Sequence, residues 1–475
     1  MTTAATLRPR TAASLRPRTA ASLRPRTAAS LRPRTAWLAP LLLCSVSVSP
    51  AQADDDFWST LTGGKVDVTA RYRYETVDDN QLPTVRRAGA NTLRTAVGYS
   101  TPLLAGWGAY VQIEDVRALG TEHYSDGGRN GATRRATIVD PEGTELQQAS
   151  LRYRGFPRTQ ITFGRQEIDH RASPLNRFAG SVAWRQNVQS MDAMRVVNDQ
   201  LPGVKIDYAY VWNVNRIFGE DNRLPDRSDF NVSGNLLDIT YSGIANATLE
   251  PYLYRLNFDT KVTATRALST TTYGARLQGS YDVISRAAKL LYVAEAAHQQ
   301  DFGNNPLHLS VGYYMVEFGA TQLFNDPDFE SMTVKLSYEL LEGSGRVVVR
   351  GTGVPASFQT PLGTNHAFQG WADRFLTTPA DGVKDAYATL AARALGTNFT
   401  VTLHRFDADH DNYSYGNEWD IQATRVFADH YTAGVKYARY DASDNSLNRA
   451  RNGQTSAGKQ AFDSSKLWLW GEIRF

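Results

Sequence analysis

The feature that most constrains the fold is a two-residue alternation of apolar and polar side chains that recurs along most of the chain. In its first segment Val66, Val68, Ala70, Tyr72 and Tyr74 alternate with Lys65, Asp67, Thr69, Arg71, Arg73 and Glu75. A period of two is typical of a β-strand with one apolar and one polar face. The polar face carries charges that would be costly to bury in a packed core. Helical periods are scarce, so the sequence predicts an all-β chain.

About 18 such segments follow one another, and the connections between them alternate between long and short. An even number of strands, with short turns on one side and long loops on the other, predicts a single transmembrane antiparallel β-barrel of the outer-membrane type. Both termini would face the periplasm. Two connections break the rule, because 299–306 is short for a loop and 317–331 is long for a turn. A secreted β-sandwich or β-solenoid is the alternative fold.

Residues 1–53 differ from the rest of the chain and are predicted to be removed. They contain eight arginines, no lysine and no acidic residue, and the unit LRPRTAAS is repeated from Leu7. An apolar stretch, 37–48, precedes Ala51-Gln52-Ala53, which is the pattern of a secretory signal cleaved after Ala53. The barrel would then be residues 54–475. An organelle transit peptide and a translation start inside the repeat are the alternatives.

Charge and cysteine content exclude several classes of function for residues 54–475. Without the eight leader arginines the net charge changes from +3 to −5, which removes the electrostatic basis for binding nucleic acid. The only cysteine, Cys44, lies in the leader. Disulfides, cysteine-ligated zinc and thiol catalysis are therefore excluded.

The C-terminal segment has the pattern of a last barrel strand. Leu467, Leu469, Ile473 and the terminal Phe475 fall on one face. An aromatic C-terminus of this kind is what the β-barrel assembly machinery recognises. The sequence therefore predicts that machinery, outer-membrane lipid and lipopolysaccharide as partners, in the outer membrane of a Gram-negative cell.

Two stretches are more specific than the alternation. The first contains Gly164-Arg165-Gln166, 176–180 and Trp184-Arg185-Gln186-Asn187, and the second contains 358–364 and Gly370-Trp371-Ala372-Asp373. With the opening 71–75 and the closing 466–470, they resemble the alginate export family of outer-membrane porins over residues 60–475. The resemblance implies an 18-stranded monomeric barrel that passes anionic polysaccharide. It marks Gly164, Gln166, Trp184, Gln186, Asn187, Trp371 and Asp373 as family-motif residues.

The strand alternation also predicts which charged side chains face the lumen and could line the path of a substrate. These are Arg71, Arg73, Arg94, Arg152, Arg154, Lys205 and Arg276 on the wall, with Arg165, Arg177, Arg185, Arg195 and Asp192 around the third long loop. A surplus of lumen bases would favour anions. Two alternatives are structural: a network of salt bridges that stiffens the barrel, and a 184–187 segment packed on the wall for stability.

A calcium site is a weaker candidate. Asp407, Asp409, Asp411 and Glu418 have the spacing of a twelve-residue calcium loop. However, Asn412 stands where glycine is expected and the flanks have strand patterns, so a solvated acidic loop is favoured.

No enzyme motif is present, since the eight histidines are scattered singly and neither H-E-x-x-H nor G-x-S-x-G occurs. No catalytic residue and no cofactor are predicted. The sequence thus predicts a passive, anion-selective porin for an alginate-like polysaccharide or oligosaccharide. A general diffusion porin for small solutes, and a plugged structural or adhesion barrel without transport, are the alternatives.

Overall fold

A computed structural model describes residues 62–79, 85–173, 175–284, 287–345, 355–446 and 459–475. The predicted leader lies outside these residues. The described chain forms 18 strands with short helical segments, among them α1 (Thr263–Arg266) and two 3₁₀ turns at Asn365–Ala367 and Lys459–Ala461. No helix in these ranges has the length and apolar character needed to cross a membrane.

The strands are β1 (Lys65–Asp79), β2 (Ala88–Ser100), β3 (Trp107–Ala118), β4 (Gly143–Tyr153), β5 (Thr159–Gln166), β6 (Ser190–Asn198), β7 (Val204–Asn215), β8 (Asp229–Ile244), β9 (Ala247–Phe258), β10 (Thr270–Ile284), β11 (Ala288–Asp301), β12 (Ser310–Leu323), β13 (Phe329–Leu341), β14 (Val383–Ala394), β15 (Thr397–Asp407), β16 (Ser414–Phe427), β17 (Tyr431–Ala442) and β18 (Ser464–Arg474).

Every strand pairs antiparallel with its neighbours in sequence, and β1 pairs with both β2 and β18. At this seam Val68 and the terminal Phe475 exchange two backbone hydrogen bonds, of 3.0 and 2.9 Å. The sheet is therefore closed and has no unpaired edge. The predicted 18-stranded antiparallel barrel is confirmed.

Of the two predicted exceptions to the alternation of long and short connections, the long turn is wrong, whereas the loop between β11 and β12 is as short as predicted. The β11–β12 loop is 302–309 and the β12–β13 turn is only 324–328. Strand β12 continues seven residues beyond the predicted end at residue 316. Its second half contains Gly319 and Ala320, whose small side chains weaken the apolar–polar contrast that the alternation depends on.

The outer face of the barrel is apolar and exposed. Large side chains with about half or more of their surface accessible occur around the whole barrel: Val66, Val97, Ile113, Leu151, Phe163, Phe318, Leu336 and Leu403. The inner face carries buried charged groups such as Arg73, Glu114, Asp207 and Glu339. This arrangement reverses that of a soluble β-sandwich and is the one that a lipid-embedded barrel requires.

Candidate functional site

Two of the long loops fold into the lumen and contact each other. The first inner loop comprises 167–173 and 175–189, between β5 and β6, and the second inner loop comprises 342–345 and 355–382, between β13 and β14. The Gly180 amide donates to the Leu362 carbonyl (2.9 Å), and the Thr364 amide donates to the Asn176 carbonyl (2.9 Å). The Gln189 side chain also donates to the Leu362 carbonyl, at 3.1 Å. The two motif stretches of the sequence thus form one structural unit.

Arginines of β1 hold the first inner loop against the wall. Arg71 donates from Nε to the Gln186 side chain (2.8 Å) and from Nη1 to the Ala183 carbonyl (3.0 Å), and also donates to the Arg185 carbonyl. Arg73 donates to the Trp184 carbonyl at 2.5 Å. These loop carbonyls lie away from any backbone partner, so the arginines supply the hydrogen bonds that burial requires.

The opposite charge comes from a buried aspartate of the β3–β4 loop, which the sequence did not reveal. Asp140 accepts from the Gln186 amide at 2.8 Å and lies 3.7 Å from Arg73. Arg185 pairs with Glu75 of β1 at 2.9 Å. Because all of these groups are buried, the cations and anions compensate one another and lock the loop in place.

The second inner loop is tied to the wall at β16, three strands away from β1. The Ala372 amide donates to Glu418 (2.6 Å) and the Trp371 amide donates to Asp420 (3.2 Å), both of β16. Arg177, from the first inner loop, lies 3.3 Å from Glu339 of β13 and over the Phe368 ring. Both inner loops are therefore anchored on several strands.

A cluster of rings and charges lies where the two loops meet. Trp184 stacks on His366, with ring centres 4.7 Å apart and an angle of 5° between the rings. The Lys436 ammonium lies 3.9 Å from the centre of the Trp184 ring and 4.0 Å from that of Trp371. Lys436 extends inward from β17, and its two tryptophan partners belong to different loops.

Asp373 links this cluster to the last strand. It lies 2.7 Å from His366 Nδ1 and 2.6 Å from the Lys466 ammonium. Burial lowers the pKa of His366 to about 3, although the neighbouring Asp373 opposes the shift. Burial alone would raise the pKa of Asp373, but Lys466 and His366 hold it well below its usual range. Asp373 is therefore ionised and His366 neutral at neutral pH.

A cavity of about 690 Å³ lies against these loops. Its lining includes Glu75, Trp184, Arg185, His366, Asp373 and Lys466. Residues 216–218 and Arg227, from the β7–β8 loop, line another part of it. Among the described lining residues five are arginine or lysine and three are aspartate or glutamate.

Most of the wall residues predicted to line the substrate path are paired with acids. Arg94 pairs with Glu114 (2.5 Å), Arg165 with Asp192 (2.9 Å), Arg195 and Lys205 with Asp207 (2.6 and 3.7 Å), and Arg276 with Glu295 (2.8 Å). Arg152 and Arg154 have no carboxylate within 4 Å among the described residues, and they donate to Ser100 and Gln160. Arg154 was predicted on the wall, but β4 ends at Tyr153, so Arg154 lies exposed in the β4–β5 turn. A role of either arginine in a substrate path stays a prediction.

Three of the family-motif residues make backbone or side-chain contacts in or beside the first inner loop. Gly164 has a φ of 115°, and a Cβ at this position would lie 2.4 Å from the Ala149 carbonyl oxygen. Only glycine accepts both the conformation and the close approach. The Gln166 side chain donates to the Ala193 carbonyl at 3.2 Å, and Asn187 donates to the Pro141 carbonyl at 2.8 Å. These contacts are structural.

The weak calcium candidates do not come together. Asp407 contacts Arg405 (3.0 Å), Asp409 contacts Lys384 (3.3 Å), and Glu418 lies in the lumen beneath Ala372. Across the described ranges no group of three or more histidine or acidic side chains could hold a metal ion. The spacing was misleading because 407–418 is a β-hairpin, in which Asp407 ends β15 and Glu418 lies within β16.

Among the comparisons with known proteins, the one with solved structures finds matches, and these agree with the 18-stranded fold. No protein-family model and no curated protein matches the sequence, so the resemblance to the alginate export family is not supported. The barrel is similar to crystal structures of Acinetobacter baumannii OccAB2 (12% identity, TM-score 0.63, covering 88% of this chain and 99% of that chain) and OccAB4 (13%, 0.61, 87% and 98%). It is also similar to Pseudomonas aeruginosa OpdK solved with vanillate (14%, 0.60, 87% and 99%).

These similar structures are porin channels rather than enzymes. Identities of 12 to 14% establish a common architecture and leave the solute open. The closed barrel with its exposed apolar outer face agrees with a place in the Gram-negative outer membrane. The chain has the fold of the 18-stranded outer-membrane porins.

Proposed function

We propose that this chain is a passive outer-membrane channel for small organic anions, short anionic oligosaccharides included. The observation that carries the proposal is the cavity beside the two inner loops, in which basic side chains outnumber acidic ones by five to three. Its volume of about 690 Å³ is within the range of small-molecule pockets. A lumen narrowed by anchored loops selects by size, and the surplus of base selects by charge.

The comparison with OpdK supports the choice of small anions. That protein was solved with vanillate, a small aromatic carboxylate, and its barrel superimposes on nearly all of this one. Arg152 of β4 and Arg154 of the exposed β4–β5 turn, neither with a carboxylate within 4 Å among the described residues, add base at that end of the barrel. Guanidinium groups recognise carboxylates through paired hydrogen bonds.

An alginate-like polymer is the second candidate, and it rests on the sequence motifs. The contacts of those motifs favour a structural role, since 176–180 and 361–364 bind the two inner loops together. A long polymer would have to pass these anchored loops. Short oligosaccharides therefore fit the lumen better than a chain of many sugars does.

Planar-bilayer recording of the purified barrel tests the proposal. We expect open-channel current, a reversal potential that indicates anion preference in a salt gradient, and current blockade by vanillate and by alginate oligomers that weakens as the oligomer lengthens. A reversal potential near zero without blockade would identify a general diffusion porin. The absence of current would identify a plugged barrel, and selective passage of long alginate would favour the polymer.

Arg152 and Arg154, which have no carboxylate partner among the described residues, allow a sharper test of selectivity. In the double variant Arg152→Glu/Arg154→Glu the reversal potential should move toward cation preference, because two positive charges at this end of the barrel become negative. No described ion pair is broken, so the barrel should still assemble. Lys261→Glu, in the exposed β9–β10 loop, is the matched control. Equal reversal potentials for the double variant and the control would show that these arginines do not set selectivity.

A further inference from the structure

Two arginines of the β7–β8 loop line the cavity in an unusual setting. Arg216 directly follows β7, and Arg227 lies two residues before β8. Their guanidinium carbons are 4.7 and 4.6 Å from the centre of the same ring, that of Phe218. Arg216 is also 3.9 Å from the centre of the buried Phe230 ring. Stacking on rings holds a guanidinium group flat and leaves its in-plane N–H groups free to donate.

Neither arginine has a carboxylate within 4 Å among the described residues, whereas most lumen arginines do. Arg216 donates from Nη1 to the Asp226 backbone carbonyl at 2.6 Å, while the Asp226 carboxylate is engaged by Thr260 at 2.9 Å. Asp226 and Asp229 act on Arg216 only from a longer distance. The two positive charges are thus largely uncompensated by the protein.

The loop holds both arginines in place. The Arg216 amide donates to the Ser228 carbonyl (2.9 Å), and the Arg227 amide donates to the Leu224 carbonyl (3.2 Å). Phe218 packs on Gly127 of the β3–β4 loop, where an added Cβ would lie 2.9 Å from the ring. A prearranged pair of cations loses little conformational entropy on binding a ligand.

Placing two like charges together has a cost, which is larger for the half-buried Arg216 than for the more exposed Arg227. Burial and the neighbouring Arg227 lower the pKa of Arg216 below its usual range. Burial also lowers the pKa of Arg227. A bound anion would relieve both effects, because it replaces the lost hydration and cancels the repulsion.

We infer that Arg216 and Arg227 form a capture site for doubly charged organic anions, with the two charges on one small solute. This inference rests on the proposed anion channel and deepens it by naming a solute class and a binding site. Ile217 and Leu268 give the same cavity an apolar lining for the carbon skeleton of the solute. Two guanidinium groups over one ring favour a dianion over a monoanion, since a single carboxylate can neutralise only one of them.

The test uses two probes that differ by one carboxylate, phthalate and benzoate, added to either side of the reconstituted full barrel. In single-channel recordings we expect phthalate to block the wild-type channel about 10-fold more strongly than benzoate, as one additional charge-assisted contact allows. Arg216→Gln and Arg227→Gln should each remove most of that preference. Arg223→Gln, in the same loop but exposed and away from the cavity, is the control.

The double variant Arg216→Lys/Arg227→Lys keeps the charge but loses the planar donor groups, so it should retain an intermediate preference if a glutamine variant fails to fold. Full phthalate preference in a folded glutamine double variant, or wild-type block equal for the two probes, would overturn the capture site. The reversal potential of the same channels reports separately on the proposed function. Anion selectivity without phthalate preference leaves the channel standing and removes the site, whereas loss of anion selectivity in the wild type removes the proposed channel itself.

Discussion

At the scale of single residues, charged groups in the lumen are arranged to hold loops as well as to face a solute. Arg71 and Arg73 donate hydrogen bonds to backbone carbonyls of the first inner loop. Asp140, buried beside them, compensates the charge. A positive side chain that faces the lumen is therefore insufficient evidence for contact with a substrate. The informative exceptions are the arginines without a carboxylate partner.

The His366 ring gives a pH-dependent prediction at this scale. Its pKa in the folded barrel is about 3, against an ordinary value of 6.5, so between these values the unfolded state binds more protons. Stability should therefore fall as the pH drops below 6.5, by roughly 2–3 kcal/mol at pH 4.5. We expect the heat-unfolding midpoint of the wild type to decrease more between pH 7 and 4.5 than that of His366→Phe, which keeps the stacking on Trp184.

His308→Phe is the matched control, because His308 is exposed in the β11–β12 loop. It should follow the wild-type pH profile. An identical profile for His366→Phe and the wild type would show that this histidine does not carry the acid sensitivity. Protonation of Asp373 acts in the same direction but only below the ordinary aspartate range, since its pKa is depressed.

At the scale of elements, successive side chains of each strand point alternately to the lipid side and to the lumen. Strand β13 illustrates this, since Leu336 is 64% exposed while its neighbour Lys335 turns inward and pairs with Glu317 at 3.0 Å. The inner loops are a second kind of element. They have no such parity, and their positions follow from hydrogen bonds to several strands.

The alternation in β13 predicts different costs for a positive charge introduced on its outer face and on its inner face. Leu336→Arg should destabilise the folded barrel by roughly 2–4 kcal/mol, because residue 336 is near the middle of β13 and its side chain faces the lipid. Thr333→Lys, which points into the lumen, should cost far less. Urea unfolding in detergent micelles or liposomes measures both. Equal stabilities would contradict the assignment of the two faces.

At the scale of the whole molecule, the barrel is closed by a contact between its two ends. Phe475 exchanges backbone hydrogen bonds with Val68, and its ring centre lies 5.1 Å from that of His430. The C-terminal residue thus completes the seam between β1 and β18. The same residue is the one that the assembly machinery was expected to recognise.

Residues 54–475 should fractionate with the outer membrane and migrate faster on gels when unheated, because a closed barrel resists detergent until it is boiled. Deleting Phe475 should sharply reduce the heat-modifiable fraction, since the deletion removes both backbone hydrogen bonds to Val68 and the terminal aromatic ring. Phe475→Tyr keeps these features and should assemble normally. Recovery of the wild type as a soluble periplasmic protein would contradict the proposed location.

The sequence by itself determined the barrel, because strand alternation is local and each pair of neighbouring residues reports which face is apolar. It also predicted which side chains point inward, and Arg71, Arg73 and Arg94 do so. Only the tertiary structure decided what those side chains meet. Arg71 and Gln186 are separated by 115 residues, and the Lys436 ammonium lies between tryptophans of two different loops. Such contacts depend on loops that fold back into the lumen, and the path of these loops cannot be predicted from the alternation of neighbouring residues. The same holds for Arg216 and Arg227, because only the tertiary structure shows that no carboxylate of the described residues lies within 4 Å of either one.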